Sequence, residues 1–228
     1  MGKAIVLLSG GADSATCLGV AAREGLDLYA LTIDYGQSHK IEIEMAKRQA
    51  ENFKVKEHLV LDLDLRRLAR SALTGGMEVP KRSEGEGIES GIPVTYVPAR
   101  NTIFLSLALG WAETIGTGDI FIGVNAVDYS GYPDCRPDFI ESFEKTARLA
   151  TKMGVEHERE LEIHTPLIHL SKGEIFKLGS EVGVDFSKTH SCYSPVGDMA
   201  CGECDSCRLR LKGFADAGLT DPLVYNRE

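Results

Sequence analysis

Ser9-Gly10-Gly11-Ala12-Asp13-Ser14 packs two glycines, two hydroxyls and a carboxylate into one short stretch directly behind the apolar run Ala4-Ile5-Val6-Leu7-Leu8. Glycines let backbone come close to a guest, and the start of a helix presents unpaired N–H groups. Together they make an anion site, and a phosphate suits it best. The stretch is not G-x-x-x-x-G-K-[ST], because it has no lysine, and it is not G-x-G-x-x-G. The backbone N–H groups from Gly10 to Ser14 form a candidate nest for pyrophosphate, with the Ser9 and Ser14 hydroxyls as further donors. Asp13 is awkward beside phosphates unless it holds Mg²⁺ or caps the helix that follows. The plain alternative is a tight turn with Asp13 as that cap.

A second constellation lies near the other end. Cys192, Cys201, Cys204 and Cys207 form a C-x8-C-x2-C-x2-C array. C-x2-C turns bring two sulfurs to one ion, and four thiolates make a closed tetrahedral zinc site of structural type. An iron–sulfur cluster uses the same ligand count and stays open. Cys17 reads as core. Cys135 is either a packed, hydrogen-bonded thiol or a reactive one. The six histidines show no paired-ligand spacing, and His39 and His190 read as structural or solvated.

Two polar segments complete the inventory. The first runs Thr95-Tyr96-Val97-Pro98-Ala99-Arg100-Asn101-Thr102. The second holds Asp128, Tyr129, Tyr132, Asp134 and Arg136. Tyrosines stack on flat rings. Asp128 or Asp134 suits an amino-pyrimidinone edge, and Arg100 or Arg136 binds carboxylate or phosphate in a forked geometry.

These residues need elements to hold them. Strand patterns at 4–8, 26–36, 57–64, 119–125 and 162–167 alternate with helix patterns at 13–24, 38–53, 102–116, 138–154 and 171–183. The helix at 102–116 is apolar nearly all round, which predicts burial. Ser171 and Glu174 have the spacing of a capping box. Alternation of this kind predicts an α/β fold, a Rossmann-like parallel sheet with helices on both faces. Ligands then sit beyond the carboxyl ends of the strands. Ser9–Ser14, Asp34 and Asn125–Asp128 all follow strand ends and are expected in one crevice. We divide the chain into an α/β domain at 1–185 and a small zinc-binding C-terminal subdomain at 186–228. Residues 71–92, rich in Gly, Ser and Glu, read as a lid over the crevice or as a plain surface loop.

With 228 residues, 43% hydrophobic and 26% charged, the composition is that of a globular protein. The formal charge of −9 argues against a protein that grips nucleic-acid backbone, so no stable nucleic-acid partner is expected. No run reaches the roughly 20 apolar residues of a membrane span. The N-terminus runs straight into the first strand without a signal-like segment, so a cytoplasmic location is expected.

The opening loop resembles the pyrophosphate-binding loop of the N-type ATP pyrophosphatases. LLSGGADSAT, VPARNTIFLSLA, GVNAVDYSGYPDCRPDFI, TPLIHLSKGEI and SCYSP…CGECDSCRLRLKGF together resemble the 7-cyano-7-deazaguanine synthase family, and the likeness runs to about Tyr225. It implies ATP binding by Leu8, Ser9, Gly10, Gly11, Ala12, Asp13 and Ser14, with Asp34 near the adenosine. It implies chemistry at Ser9, Asp13, Ser14 and Arg100. It places the substrate, 7-carboxy-7-deazaguanine, against Tyr96, Arg100, Asn101, Asp128, Tyr129, Tyr132, Asp134 and Arg136. The implied cofactors are ATP, Mg²⁺ and structural Zn²⁺, with free ammonium as nitrogen donor and a homodimer as assembly. A tRNA thiolase of the same superfamily and a non-catalytic ATP-sensing zinc module are the competing readings.

Overall fold

The computed structural model describes residues 2–75, 77–81, 91–126, 131–157 and 159–226. Five parallel strands, β1 Lys3–Leu7, β2 Asp27–Asp34, β3 Glu57–Asp62, β4 Asp119–Ile122 and β5 Glu162–His164, form one sheet in the order β3-β2-β1-β4-β5. Seven α-helices accompany them among the described residues: α1 Ala12–Arg23, α2 Ile41–Asn52, α3 Arg100–Ile115, α4 Pro137–Ala150, α5 Lys152–Val155, α6 Lys172–Glu181 and α7 Asp205–Ala217. The central strand β1 pairs with β2 and β4, Val6 lying opposite Ala30 and Phe121. Both its faces are covered, so its sequence is a continuous apolar run rather than an alternation.

Alternate β1 side chains serve different layers. Ile5 and Leu7 join Leu31, Leu105, Ala108, Ile140 and Phe143 in a core beneath α3 and α4. Ala4, Val6 and Leu8 join Cys17, Leu18, Ala46 and Ile175 in a core beneath α1, α2 and α6. The expected sheet with helices on both faces is therefore present, and Cys17 is core. The order reverses at β1, which feeds α1 on one side of the sheet and stands next to β4. A ligand crevice opens at such a switch point.

Local details depart from the pattern reading. Helix α3 starts earlier, at Arg100, and only one stripe of it is buried: Asn101, Leu105, Ala108, Leu109 and Ala112. Phe104, Leu107 and Trp111 are only partly covered. The expected helix at 138–154 is broken in two by Thr151, whose hydroxyl accepts a hydrogen bond from the Gly154 amide and caps α5. The Ser171–Glu174 capping box at the start of α6 forms as the spacing predicts. Of the expected lid at 71–92, residues 76 and 82–90 lie outside the described residues, and its start, Ser71 to Thr74, is buried. Further along the same segment, Lys81 bridges to Cys204 and pairs with Glu203 at 3.1 Å.

Helix α7 docks on the α/β layers through an aromatic stack. Phe214 lies 3.9 Å from Phe176 of α6 between ring centroids, with Phe186 edge-on at 5.4 Å. Arg210 locks this corner. Its Nε and Nη2 donate to the Asp221 carboxylate at 2.9 and 3.0 Å, Nη1 to the Thr189 hydroxyl at 2.8 Å and Nη2 to the Phe186 carbonyl at 3.1 Å. The Tyr225 hydroxyl donates to the same carboxylate at 2.6 Å. The pair is 3% and 6% exposed, so removing one partner strands a buried charge. Asp221→Ala is therefore expected to destabilise the chain by about 3–5 kcal/mol in denaturant titration. A loss below roughly 1 kcal/mol would contradict this account of the corner.

Candidate active site

The loop between β1 and α1 takes its shape from one close approach. Gly10 has φ +87°, and a Cβ there would stand 2.0 Å from the Glu42 carbonyl oxygen and 2.9 Å from the Ala46 nitrogen. Only glycine allows this loop to lie against α2. The Gly10 carbonyl accepts the His190 amide at 3.0 Å, which ties the loop to the segment leading into the cysteines. The serine hydroxyls brace the loop from within. Ser14 Oγ accepts the Ser9 amide at 3.1 Å and donates to the Gly11 carbonyl at 3.1 Å. Ser9 Oγ accepts the Gly11 amide at 3.4 Å and lies 3.1 Å from Ser14 Oγ. Helix α1 begins at Ala12, so the amides of Ala12, Asp13 and Ser14 belong to its first turn, where intrahelical partners do not exist.

Asp13 does not cap the helix. Gly11 occupies the cap position, and Asp13 reaches across to Lys172 at the start of α6 at 2.5 Å. This pair places a cation at the mouth of the loop, a residue that strand-end reasoning passed over. Its only sequence signal is its place in SKGEI, one residue behind the capping serine.

The loop opens into a cavity of about 280 Å³. Leu8, Ser9, Gly11, Ala12, Asp13, Ser14, Arg100, Asn101, Asn125 and Tyr132 of the expected residues line it. Asn125 is held by the carbonyls of Leu167 and Leu170. Arg100 is the first residue of α3, and its guanidinium carbon lies 5.9 Å from the ring centroids of Tyr35 and Phe104. Burial works against that charge, but the hydroxyl-bearing Tyr35 and Tyr132 and the nearby Cys135 and Asp134 more than offset it. Tyr132 shares one hydrogen bond with the Thr95 hydroxyl at 2.8 Å.

Other expected residues stand elsewhere. Asp34 ends β2 outside the cavity lining and pairs with Lys40 at 2.8 Å. Thr32, Ile33, Tyr35 and Gln37 line the cavity around it instead. Asp134 is buried and accepts the Asn101 amide at 3.0 Å, while Asn101 Nδ2 donates to the Asp134 carbonyl at 3.0 Å. Its carboxylate thus serves the start of α3. Tyr96 accepts the Ala99 amide on its hydroxyl, lies 5.8 Å from Tyr132 between ring centroids, and is not part of the lining. Arg136 is exposed at the start of α4. Asp128 and Tyr129 lie outside the described residues.

Cys135 lines the cavity as a packed thiol that accepts a bond from Asn101 Nδ2 at 3.3 Å. Burial pushes it up to about 11, so it carries its proton at neutral pH. Burial likewise pushes the Tyr35 phenol to about 12. Glu42 is a further missed residue. It lines the cavity from the first turn of α2, and burial lifts its carboxyl to about 7 while Arg100 tempers the rise.

The cysteine segment forms another wall. Ser191, Cys192, Tyr193, Ser206 and Leu209 line the cavity. The four cysteine sulfurs are buried and lie within 4.8 Å of one another. A tetrahedral Zn–S bond of about 2.3 Å places sulfurs about 3.8 Å apart. Cys201 and Cys207 already stand 3.9 Å apart. Backbone amides of Ser194 and Cys201 point at Cys192 Sγ, and those of Glu203 and Cys204 at Cys201 Sγ. These donors stabilise thiolates, so the cluster fits a metal ion.

Fold and site together define an α/β protein with a glycine-bent loop facing a cavity at its switch point. Solved structures share the fold. An NMN synthetase from Francisella tularensis superposes with a TM-score of 0.52 at 16% identity, covering 96% of this chain and 78% of its own. A 4-thiouridine synthetase solved with RNA and bound ATP gives 0.52 at 19% identity, over 95% of this chain and 50% of that one. At such identities these likenesses speak for the fold alone.

The family is shown by sequence. Residues 3–218 match the model of the family described as queuosine biosynthesis protein QueC, and the chain belongs to that family. A 7-cyano-7-deazaguanine synthase of Geotalea uraniireducens is 60% identical over 98% of this chain and 96% of its own. One from Geobacter sp. strain M21 is 61% identical over 99% and 98%.

Gly10→Ala tests the close approach. Left-handed strain and the clash with α2 together are expected to remove roughly 2–5 kcal/mol of stability. Unchanged unfolding by urea would show that the loop does not need this contact.

Proposed function

We propose that this chain makes 7-cyano-7-deazaguanine from 7-carboxy-7-deazaguanine, ammonia and ATP. The reading is carried by one conjunction: a glycine-bent anion loop facing Lys172 and Arg100 in a chain about 60% identical, over nearly its whole length, to proteins of that name. A carboxylate is a poor electrophile, and its oxygen is a poor leaving group. Transfer of the adenylyl group to that oxygen turns it into part of AMP. The first-turn amides of α1 hold the departing pyrophosphate, and Lys172 supplies positive charge where the negative charge develops. Ammonia then forms the C–N bond and AMP leaves. A second adenylation, now on the amide oxygen, lets that oxygen leave as AMP and gives the nitrile. Acid and amide have nearly the same shape, so one cavity serves both rounds. Positioning and charge do the work, and no covalent nucleophile is required.

Arg100 and Tyr132 stand where a planar, anionic heteroaromatic acid would rest, with Asn101 beside them. Mg²⁺ takes one or two carboxylates plus phosphate oxygens, and Asp13 is the loop's own carboxylate on the cavity. Lys172 satisfies it here. Four buried thiolates without an open position suit structural Zn²⁺ within a C-terminal subdomain at 186–228. Metal analysis of the purified chain is expected to give stoichiometric zinc; iron with sulfide would contradict this.

Mass spectrometry of a reaction holding the purified chain, ATP, Mg²⁺, ammonium and 7-carboxy-7-deazaguanine is expected to show the nitrile, AMP and pyrophosphate. ADP with unchanged acid would refute the assignment. In the same assay Cys135→Ser is expected to form nitrile, because a protonated, packed thiol is not a nucleophile. Its complete loss in a folded variant would assign the thiol a chemical role.

A further inference from the structure

The reaction proposed above needs a base. Ammonia's attack on the acyl carbon leaves a surplus proton on nitrogen, which must go as the C–O bond to AMP breaks. In the second round the O-adenylated amide carries two N–H protons. One leaves to give the neutral imidate. The other leaves as the C–O bond breaks, its electrons completing the C≡N bond while AMP takes the C–O pair. Each proton needs an acceptor beside the loop, where acyl and phosphoryl groups meet.

Most acids at this end of the sheet are committed. Asp13 pairs with Lys172, Asp34 with Lys40, and Asp134 caps α3. The Cys135 and Tyr35 groups hold their protons. Glu42 is different. Its backbone carbonyl lies against Gly10, and the residue lines the cavity beside the loop itself. Among the described residues no hydrogen bond reaches its carboxylate, and Arg100 acts on it only through space. A half-buried, cavity-lining carboxylate without a structural task stands where protons must be collected.

We infer that Glu42 is the general base that takes the N–H protons in both rounds and releases them to solvent between steps. A carboxyl that titrates near 7 matches this duty, since a base works best with a pKa close to the working pH. The charged and titratable groups that share the cavity with it are Arg100 from α3, Arg210 from α7, Tyr35 behind β2, His39 ahead of α2, Tyr132, Cys135, Cys192, Tyr193 and the Asp13–Lys172 pair. Arg100 favours the ionised form, and burial opposes it. The base acts when ionised, so its contribution falls as pH drops through about 7.

The inference rests on the proposed reaction, and the test separates the two. Acid-dependent exchange of labelled pyrophosphate into ATP, without ammonium, reads adenylation alone. Product formation with ammonium reads the proton-transfer steps. Glu42→Gln is expected to keep exchange within about threefold of wild type and to lose nitrile formation by about 10²–10⁴-fold. Glu42→Asp is expected to recover part of that loss. At constant free ammonia, the acidic limb of the wild-type rate profile should disappear in Glu42→Gln and persist in His39→Ala. Nitrile formation by Glu42→Gln near the wild-type rate, an unchanged acidic limb, or parallel loss of exchange and product would overturn the role of Glu42. Absence of exchange in the wild-type chain would instead bring down the reaction itself, and the inference with it.

Discussion

The contact between Gly10 and helix α2 is the constraint on which the site depends. Backbone approaches backbone so closely that no side chain fits between them. That approach fixes the path of the chain from β1 into α1. It sets the direction of the first-turn amides and brings the start of α2, with Glu42, to the cavity wall. The Ser9 and Ser14 hydroxyls then knit the loop to itself. The sequence offers those hydroxyls as further phosphate donors, and here they brace the loop that presents the amides. Preorganisation of this kind lets hydrogen-bond donors act without rearranging as charge develops.

A second support comes from the far end of the chain. His190 holds the Gly10 carbonyl, and Ser191, Cys192 and Tyr193 continue directly into the cavity wall. The cysteine cluster is therefore more than a remote staple. Whatever holds the four sulfurs together also holds the wall that faces the loop. Arg210 ties the same region to Phe186, Thr189 and Asp221, and the Phe176–Phe214 stack fastens α7 to α6. Lys172 begins α6, so the helix that receives the C-terminal segment also delivers the cation to Asp13.

Much of this was legible in sequence because it is local. The run Ala4–Leu8 followed by two glycines specifies a strand, a turn and a helix start. The C-x2-C spacing specifies converging sulfurs. Ser171 and Glu174 specify a cap. What escaped reading was tertiary. Asp34 ends its strand as expected, yet Lys40 claims it outside the cavity. Asp134 looks like a recognition residue in a polar loop, but its geometry makes it the partner of the Asn101 amide. Nothing in the neighbourhood of Asp13 announces Lys172, far along the chain. Glu42 did leave a trace: it lies in helical register with the buried Ala46 and Gln49, an odd position for a carboxylate. The all-round apolar character of α3 overstated its burial, since a helix on the outside of a sheet buries only the stripe that faces it.

The central claim is that ATP is cleaved so that its α-phosphorus passes to the substrate's own oxygen while the loop retains the pyrophosphate. Heavy-oxygen labelling of both carboxyl oxygens of 7-carboxy-7-deazaguanine tests this most directly. As nitrile forms, each AMP released is predicted to carry a single label and the pyrophosphate none. Label found in water or inorganic phosphate, with unlabelled AMP, would contradict it.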